Sequence, residues 1–354
     1  MSARQVAVTL GVAVSALVAF GACSLVQSLD YLQADLGKDA GNVDDAGDAG
    51  VDAATGIVVA GDQTSPDQLV QDTTSLYWLA GIDLVTVPKA GGAPRKLATV
   101  QDAVALAADP GTTGNLYLAV KQSVVSVPKA GGAPVPVFNV QGPATLLAET
   151  VATDDESLFV HELDENDAVG FVRRMQKDGG APQLVSSDGG APFSLVADSK
   201  AAVWYDDTAA SFFSLARGAA PPAVGISLGA GVPVINTTSR QIAMDADTIY
   251  FVDIDDLSKT LIRSRKREPA GSAVTIFRGT DEDIPSVAVG GSFVYAVETV
   301  GNAVVRLPKA GGNLEVVVKG LDKPTSLVVD DAFIYFAESA IANKGSIRKI
   351  PLPK

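Results

Sequence analysis

The chain has 354 residues and a mass of 36.2 kDa, 47% hydrophobic and 19% charged, enough apolar content to bury one large domain, which excludes disorder throughout. Its formal charge of -14, from 27 Lys and Arg against 41 Asp and Glu, excludes counterion-release binding to nucleic acid or to an anionic membrane surface. One cysteine excludes an intramolecular disulfide, and one histidine, His161, excludes most His-built zinc sites.

At the N-terminus Arg4 precedes an apolar run, Val6 to Phe20, which is too short and too rich in small residues for a membrane span. Gly21-Ala22-Cys23-Ser24 comes next. The pattern resembles a bacterial lipoprotein signal, in which small residues precede a cysteine that is lipidated and becomes the first residue. The resemblance implies a signal peptide over 1–22 and lipidation at Cys23. With Ser24 rather than Asp behind the cysteine, it implies an outer-membrane or cell-surface location. Phe20 stands where such signals usually carry Leu, and an ordinary secretory signal on a secreted protein is the other reading.

Leu25, Leu29, Leu32 and Leu36 recur at helical spacing, so a short amphipathic helix is expected over 24–37. Lys38 to Gly56 is low-complexity Asp, Ala and Gly that cannot repay its ordering entropy, which predicts a solvated linker. As a flexible coil, 23–56 would hold the domain beyond it roughly 30 Å from the lipid. The linker's acidic residues lack the Gly-turned, Glu-closed spacing of a calcium loop.

From Ile57 to Lys354 the chain repeats. Val85-Thr86-Val87-Pro88-Lys89-Ala90-Gly91-Gly92-Ala93-Pro94 is written again at Val125 to Pro134 and, shortened, at Arg306 to Gly312, with degenerate copies at Met175, Leu215, Ser264 and Arg348. A second landmark is a short apolar run, usually an Asp, and then an aromatic: Tyr77, Tyr117, Phe159, Trp204, Tyr250, Tyr295 and Tyr335, 40 to 46 residues apart. That period, with several short strands per copy, predicts an all-β fold, a single β-propeller of four-stranded antiparallel blades. Seven copies predict seven blades, with six or eight as alternatives.

In the first copy the expected strands are Leu69 to Gln71 (A), Leu76 to Leu79 (B), Leu84 to Val87 (C) and Arg95 to Thr99 (D). Strand A carries Ala, Val and Leu with little polar alternation, as an innermost strand buried on both faces should. Asp at the A–B turn and Pro-Lys-Ala-Gly-Gly at the C–D hairpin read as turn chemistry. The last copy stops after its third strand, while Ile57 to Ala60, with the sequence of a D strand, precedes the first, so the N-terminal strand 57–60 is expected to close the ring. Closure would remove the edges that a linear array exposes.

Leu76-Tyr77-Trp78 followed by Val87-Pro88-Lys89-Ala90-Gly91-Gly92 resembles the YWTD class of propeller repeats and, more broadly, the NHL and TolB-like extracytoplasmic propellers. The resemblance spans 57–354, although the four-residue YWTD motif itself is absent. It implies a fold whose members mostly bind proteins, peptides or glycans, with some enzymes among them.

Strands running A to D outward put the repeated turns on one face and the B–C loops and D–A connections on the other. The irregular face collects the acidic candidates for a ligand site: Asp164, Asp167, Asp206, Asp207, Asp253, Asp255, Asp256, Glu298 and Glu338. Such a face suits a cationic ligand, a basic partner or calcium, or carries its carboxylates for solubility alone. His161 is expected at a loop or strand end, Trp78 and Trp204 in the core, and the hairpin lysines either form a basic collar or protect an edge. The expected function is a monomeric, lipid-anchored binding or scaffold module for a protein, peptide or glycan of the envelope, without a resident cofactor. The alternative is a metal-dependent, lactonase-like hydrolase or lyase using carboxylates of the irregular face. A serine triad would need His161 as base, beside a serine that nothing singles out.

Overall fold

The computed structural model describes residues 56–353 apart from 165–168, 178–179, 187–191, 207–208, 210, 228–241, 256, 268–270, 281 and 340–343. The expectations for Cys23, the 24–37 helix and the linker, and those for Asp167, Asp207 and Asp256, lie outside the described residues.

The period-two pleat decides the architecture. In strand B of the first copy, β3 (Ser75–Ala80), Leu76 and Trp78 pack into one apolar cluster while Tyr77 and Leu79 pack into another, so the strand is buried on both sides. Repetition around the chain produces seven clusters, one at each junction between successive sheets. The sheets are β2–β5 (66–99), β6–β9 (103–139), β10–β13 (146–186), β14–β17 (192–227), β18–β21 (243–278), β22–β25 (286–319), and β26–β28 (324–351) with β1 (Ile57–Gln63). They are blades 1 to 7 of a closed, all-β, seven-bladed propeller.

Closure takes the expected route, with a longer strand. β1 pairs antiparallel with β28 (Gly345–Pro351), and Val59 and Ala60 join the cluster that holds Trp78 of blade 1. Gln63 Oε1, at the end of β1, accepts a hydrogen bond from Trp78 Nε1 at 3.2 Å. The outermost strands are short, and in six blades the C–D pairing is interrupted by a bulge, both of which blunt an exposed edge.

One landmark shifts phase. In sequence Trp204 aligns with the tyrosines, but the residue opposite the same strand-A position is Val203, as Val196↔Val203 matches Val70↔Tyr77. Trp204 is instead the counterpart of Trp78; both are fully buried.

The repeated landmarks do more than turn the chain. Asp72 Oδ1 accepts the amides of Thr74 and Ser75, both at 2.8 Å, as expected of a turn aspartate. Its Oδ2 accepts Tyr77 Oη and Lys129 Nζ, each at 2.8 Å, and Lys129 comes from the hairpin of the next blade. The ammonium lies 5.5 Å from the Tyr77 ring centre. The same reach across a junction joins Lys89 to Asp330, Lys177 to Asp109, Arg267 to Asp198 and Lys309 to Asp245, while Arg217 takes Asp155 and Glu156. The hairpin glycines complete the clasp. Gly132 N–H bonds Leu97 O and Gly312 N–H bonds Ile276 O, on the outer strand of the preceding blade. At Gly311, φ is +96° and a Cβ would stand 3.2 Å from Ile276 O, so both conformation and space call for glycine.

The lysines are therefore not a free collar; with Arg217 and Arg267 they tie six blades, each to the one before. The junction of blades 6 and 7 confirms the logic by exception. Gly290 stands where the others carry Asp, and Leu352, whose N–H bonds Ala332 O as Lys89 N–H bonds Thr74 O, stands where they carry a cation. Leu352 packs on the apolar cluster containing Tyr295. Both members of the ion pair are replaced together, so no charge is left buried alone.

Candidate functional site

The strand-A inner wall encloses a central channel of about 410 Å³. Strand A runs from the loop face, which carries the B–C turns and D–A connections, to the hairpin face. In five blades its pairing with strand B breaks near the loop face, where one extra residue is inserted: Gln68, Val104, Glu149, Ser194 and Thr325. Gln68 and Ser194 take φ of +54° and +50°, left-handed values that a side chain adopts only under constraint. Gln68, Val104 and Glu149 line the channel. Bulges of this kind re-aim side chains, and here they add Gln68 and Glu149 to a lining that also holds Gln71, Thr150 and Asp198.

Sequence reading misses these residues because a single inserted residue leaves the apolar run looking intact. The expected A strands begin at Leu69, Val151, Leu195 and Leu327, just past each insertion. The visible signal is a polar residue one or two positions before each run: Gln68, Glu149, Ser194 and Thr325.

The acidic candidates stand elsewhere. Asp206, Glu298 and Glu338 are the last residues of β15 (Ala201–Asp206), β23 (Phe293–Glu298) and β27 (Phe333–Glu338), and Asp253 lies within β19 (Thr248–Ile254). Expected in loops, they instead close strand B, three residues past the landmark position, and all are buried. Glu162, which the sequence does not single out, holds the same position in β11 (Ser157–Asp164). His161 likewise lies inside β11, buried, rather than in a loop or at a strand end.

Each of these carboxylates meets partners in its own blade. Glu162 accepts Arg173 Nε at 2.8 Å; Asp206 accepts the Ala209 amide at 2.9 Å; Glu298 accepts the amides of Val300 and Gly301 at 2.9 and 2.7 Å. Glu338 binds Ser346 Oγ at 2.8 Å and Arg348 Nε at 2.6 Å, and Asp164 accepts Thr145 Oγ1 at 2.8 Å. Asp255 holds its own loop through the amides of Leu257 and Lys259 and faces Arg278. Asp253 and Asp255 are close enough to repel, but among the described residues no three acidic, His or Cys side chains form a metal-ligand set.

Burial raises the Asp253 pKa to about 6 despite Arg263, whose Nε lies 2.8 Å from Oδ2 without its N–H being aimed along that line. In Asp72, Asp198, Asp245 and Asp330 burial also pushes upward, but the cation from the next blade and the turn amides outweigh it, so all four fall below 3.8. The two groups act oppositely on stability. The clasp aspartates stabilise the fold above 3.8 and lose that contribution as pH falls through their folded values. The Asp253 contribution is fully present below 3.8 and is lost as pH rises through about 6. Melting curves of Asp253→Asn should accordingly show a flatter dependence than the parent between about pH 4 and 6, with the acid limb unchanged.

The loop face also exposes Ile82, Leu257 and Val300, at 51%, 66% and 65%, on the B–C turns of blades 1, 5 and 6. The turns are fastened: Val100 N–H bonds Ile82 O at 2.8 Å and Leu321 N–H bonds Asn302 O at 2.9 Å, tying tips to the neighbouring connections.

Blades, closing strand and channel define the class: a seven-bladed β-propeller. No protein-family model matches the chain, and neither does a curated protein. Solved structures do. An oligogalacturonate lyase in complex with manganese is 10% identical with a TM-score of 0.58, over 79% of this chain and 86% of that one. A calcium-binding protein, regucalcin, from Agrobacterium tumefaciens is 10% identical with a TM-score of 0.50, over 84% and 94%. The computationally designed Ika8 protein is 10% identical with a TM-score of 0.51, over 83% and 99%. At such identity the likeness speaks to the fold alone.

Proposed function

We propose that this propeller is a binding module of the bacterial cell envelope, tethered through Cys23 and its linker and docking a protein or peptide partner on its loop face. The carrying observation is that one face carries three exposed aliphatic tips, Ile82, Leu257 and Val300, on turns of blades 1, 5 and 6 whose backbone is hydrogen-bonded in place. Scattered exposed aliphatics need no explanation, but three on the turns of one face of a repeat scaffold suit an apolar contact that gains from preorganisation. Glu298 and Glu338 on that face hold turn amides, a serine and an arginine, which favours a supporting role for them.

Changing Ile82, Leu257 and Val300 together to Glu should leave the melting temperature nearly unchanged, because all three are exposed, and abolish partner recovery from intact envelopes. Unchanged recovery would refute the docking face. The similar manganese-bound lyase and calcium-binding protein make a metal-dependent enzyme the competing reading. Adding calcium to the EDTA-treated full chain is expected to leave the melting midpoint in place; an upward shift would reinstate that reading, since a ligand bound only by the native state raises it by mass action.

A further inference from the structure

We infer that the cleft between the hairpins of blades 1 and 2 is a binding site for a small polyhydroxy carboxylate. Two departures from the repeat meet there. The first is a turn. In five blades the A–B aspartate N–H bonds the carbonyl three residues on, as Asp72 does with Ser75, but in blade 2 Asp109 N–H bonds Asn115 O, six residues on. The longer turn brings Thr112, Thr113 and Gly114 to the cleft wall. The second is a charge. Arg95 on the outer strand of blade 1 stands opposite Thr86, and at that register the other outer strands carry Ile57, Val135, Gln183, Val224, Val274 and Glu315, none of them a cation. Local differences between copies of one scaffold are where binding is usually built. The cleft holds about 470 Å³, within the range of small-molecule sites. The equivalent cleft between blades 2 and 3, where Asn115, Tyr117 and Ser126 replace Ser75, Tyr77 and Thr86, holds about 230 Å³.

Arg95 supplies the recognition charge. Its Nη1 donates to Ala130 O at 2.9 Å and its Nη2 to Lys129 O at 3.4 Å, which holds the guanidinium across the junction. Carbonyls do not neutralise it, Arg95 is in no ion pair among the described residues, and the residue is exposed, so its charge is open to a ligand. Lys129, the other cation of the lining, is spent on Asp72 and on the carbonyls of Asp109 and Gly111. Those bonds fix the longer turn, as does the Asn115 amide on Asp109 Oδ2 at 2.8 Å. Thr112 and Thr113 are thereby presented in place, exposed and with hydroxyls that no described residue engages. A carboxylate would take guanidinium N–H groups in charge-assisted hydrogen bonds, while hydroxyls of the same molecule exchange bonds with Ser75, Thr112 and Thr113. Other occupants fit less well. The lining offers a cation no acidic side chain, and its one aromatic ring, Tyr77, is 3% exposed, too covered for a sugar to stack on.

Three six-carbon probes separate the two features by calorimetry on the full chain: gluconate carries both, hexanoate only the carboxylate, sorbitol only the hydroxyls. Gluconate should bind saturably, hexanoate roughly tenfold more weakly, and sorbitol not measurably. Arg95→Gln removes the charge but keeps an N–H for Ala130 O; it should weaken gluconate roughly tenfold or more while the melting temperature holds. Should that variant fail to fold, Thr112→Val with Thr113→Val, on the exposed turn, serves instead and should bring gluconate down to the affinity of hexanoate. No saturable gluconate binding, sorbitol or hexanoate binding as well as gluconate, or unchanged affinity in a folded variant overturns the inference. The site is independent of the docking face: the Ile82, Leu257, Val300 triple variant should bind gluconate as the parent does, whatever becomes of its partner.

Discussion

Deleting Ile57–Gln63 from the full chain is expected to yield protein that aggregates instead of melting cooperatively. β1 contributes the fourth strand of blade 7, buries Val59 and Ala60 against Trp78 and Tyr335, and supplies the Gln63 side-chain oxygen that accepts the Trp78 indole N–H. Without it, β28 becomes a seven-residue open edge beside an exposed apolar cluster, the arrangement most prone to pairing with another chain. Trp78 and Trp204 are the protein's two tryptophans, so intrinsic fluorescence reads the change directly: Trp78 should shift to the red. A soluble deletion variant with parental fluorescence would mean that the ring closes without its N-terminal strand.

The second large effect belongs to Lys129→Met. Lys129 and Asp72 side chains are 4% and 0% exposed, and the ammonium also donates to Asp109 O and Gly111 O at 2.7 and 2.6 Å. Removing the cation strands a carboxylate in a dry junction, a loss on the order of 3–5 kcal/mol. For a domain of this size that lowers the melting temperature on the order of 10 °C. Lys309→Met, at a pair that is 24% and 29% exposed, should cost only about 1 kcal/mol or less. The junction of blades 6 and 7 supplies the control, since Gly290 and Leu352 replace both charges. The double variant Asp72→Asn with Lys129→Leu should be more stable than Lys129→Met alone. Additive losses would show that the clasp is not coupled.

Blade number and closure were legible because each copy has to solve the same problem, burying one strand on two sides and turning twice on the same face. Asp72, Tyr77 and the Val87-Pro88-Lys89 run therefore recur with a fixed period, and Ile57 to Ala60 could be recognised as a displaced D strand. The purpose of those landmarks was not legible. Lys129 meets Asp72 across 57 residues and between two copies, a relation that only the ring creates. The acidic residues were visible as composition but misplaced, because a strand's last residue and a loop's first look alike in sequence; the pleat decides that Glu298 and Glu338 turn under the loop. The channel mouth was hidden most deeply, since a bulge changes facing without changing composition.

The most direct test of the docking account places a photo-crosslinking residue at one position at a time in intact envelopes. Ile82 and Val300 sample the loop face; Ala90 and Ala310, at hairpin tips, sample the face occupied by the clasps. The account predicts discrete adducts from Ile82 and Val300 and none from Ala90 or Ala310. Adducts confined to the hairpin tips would contradict it and move the binding surface to the opposite side of the ring.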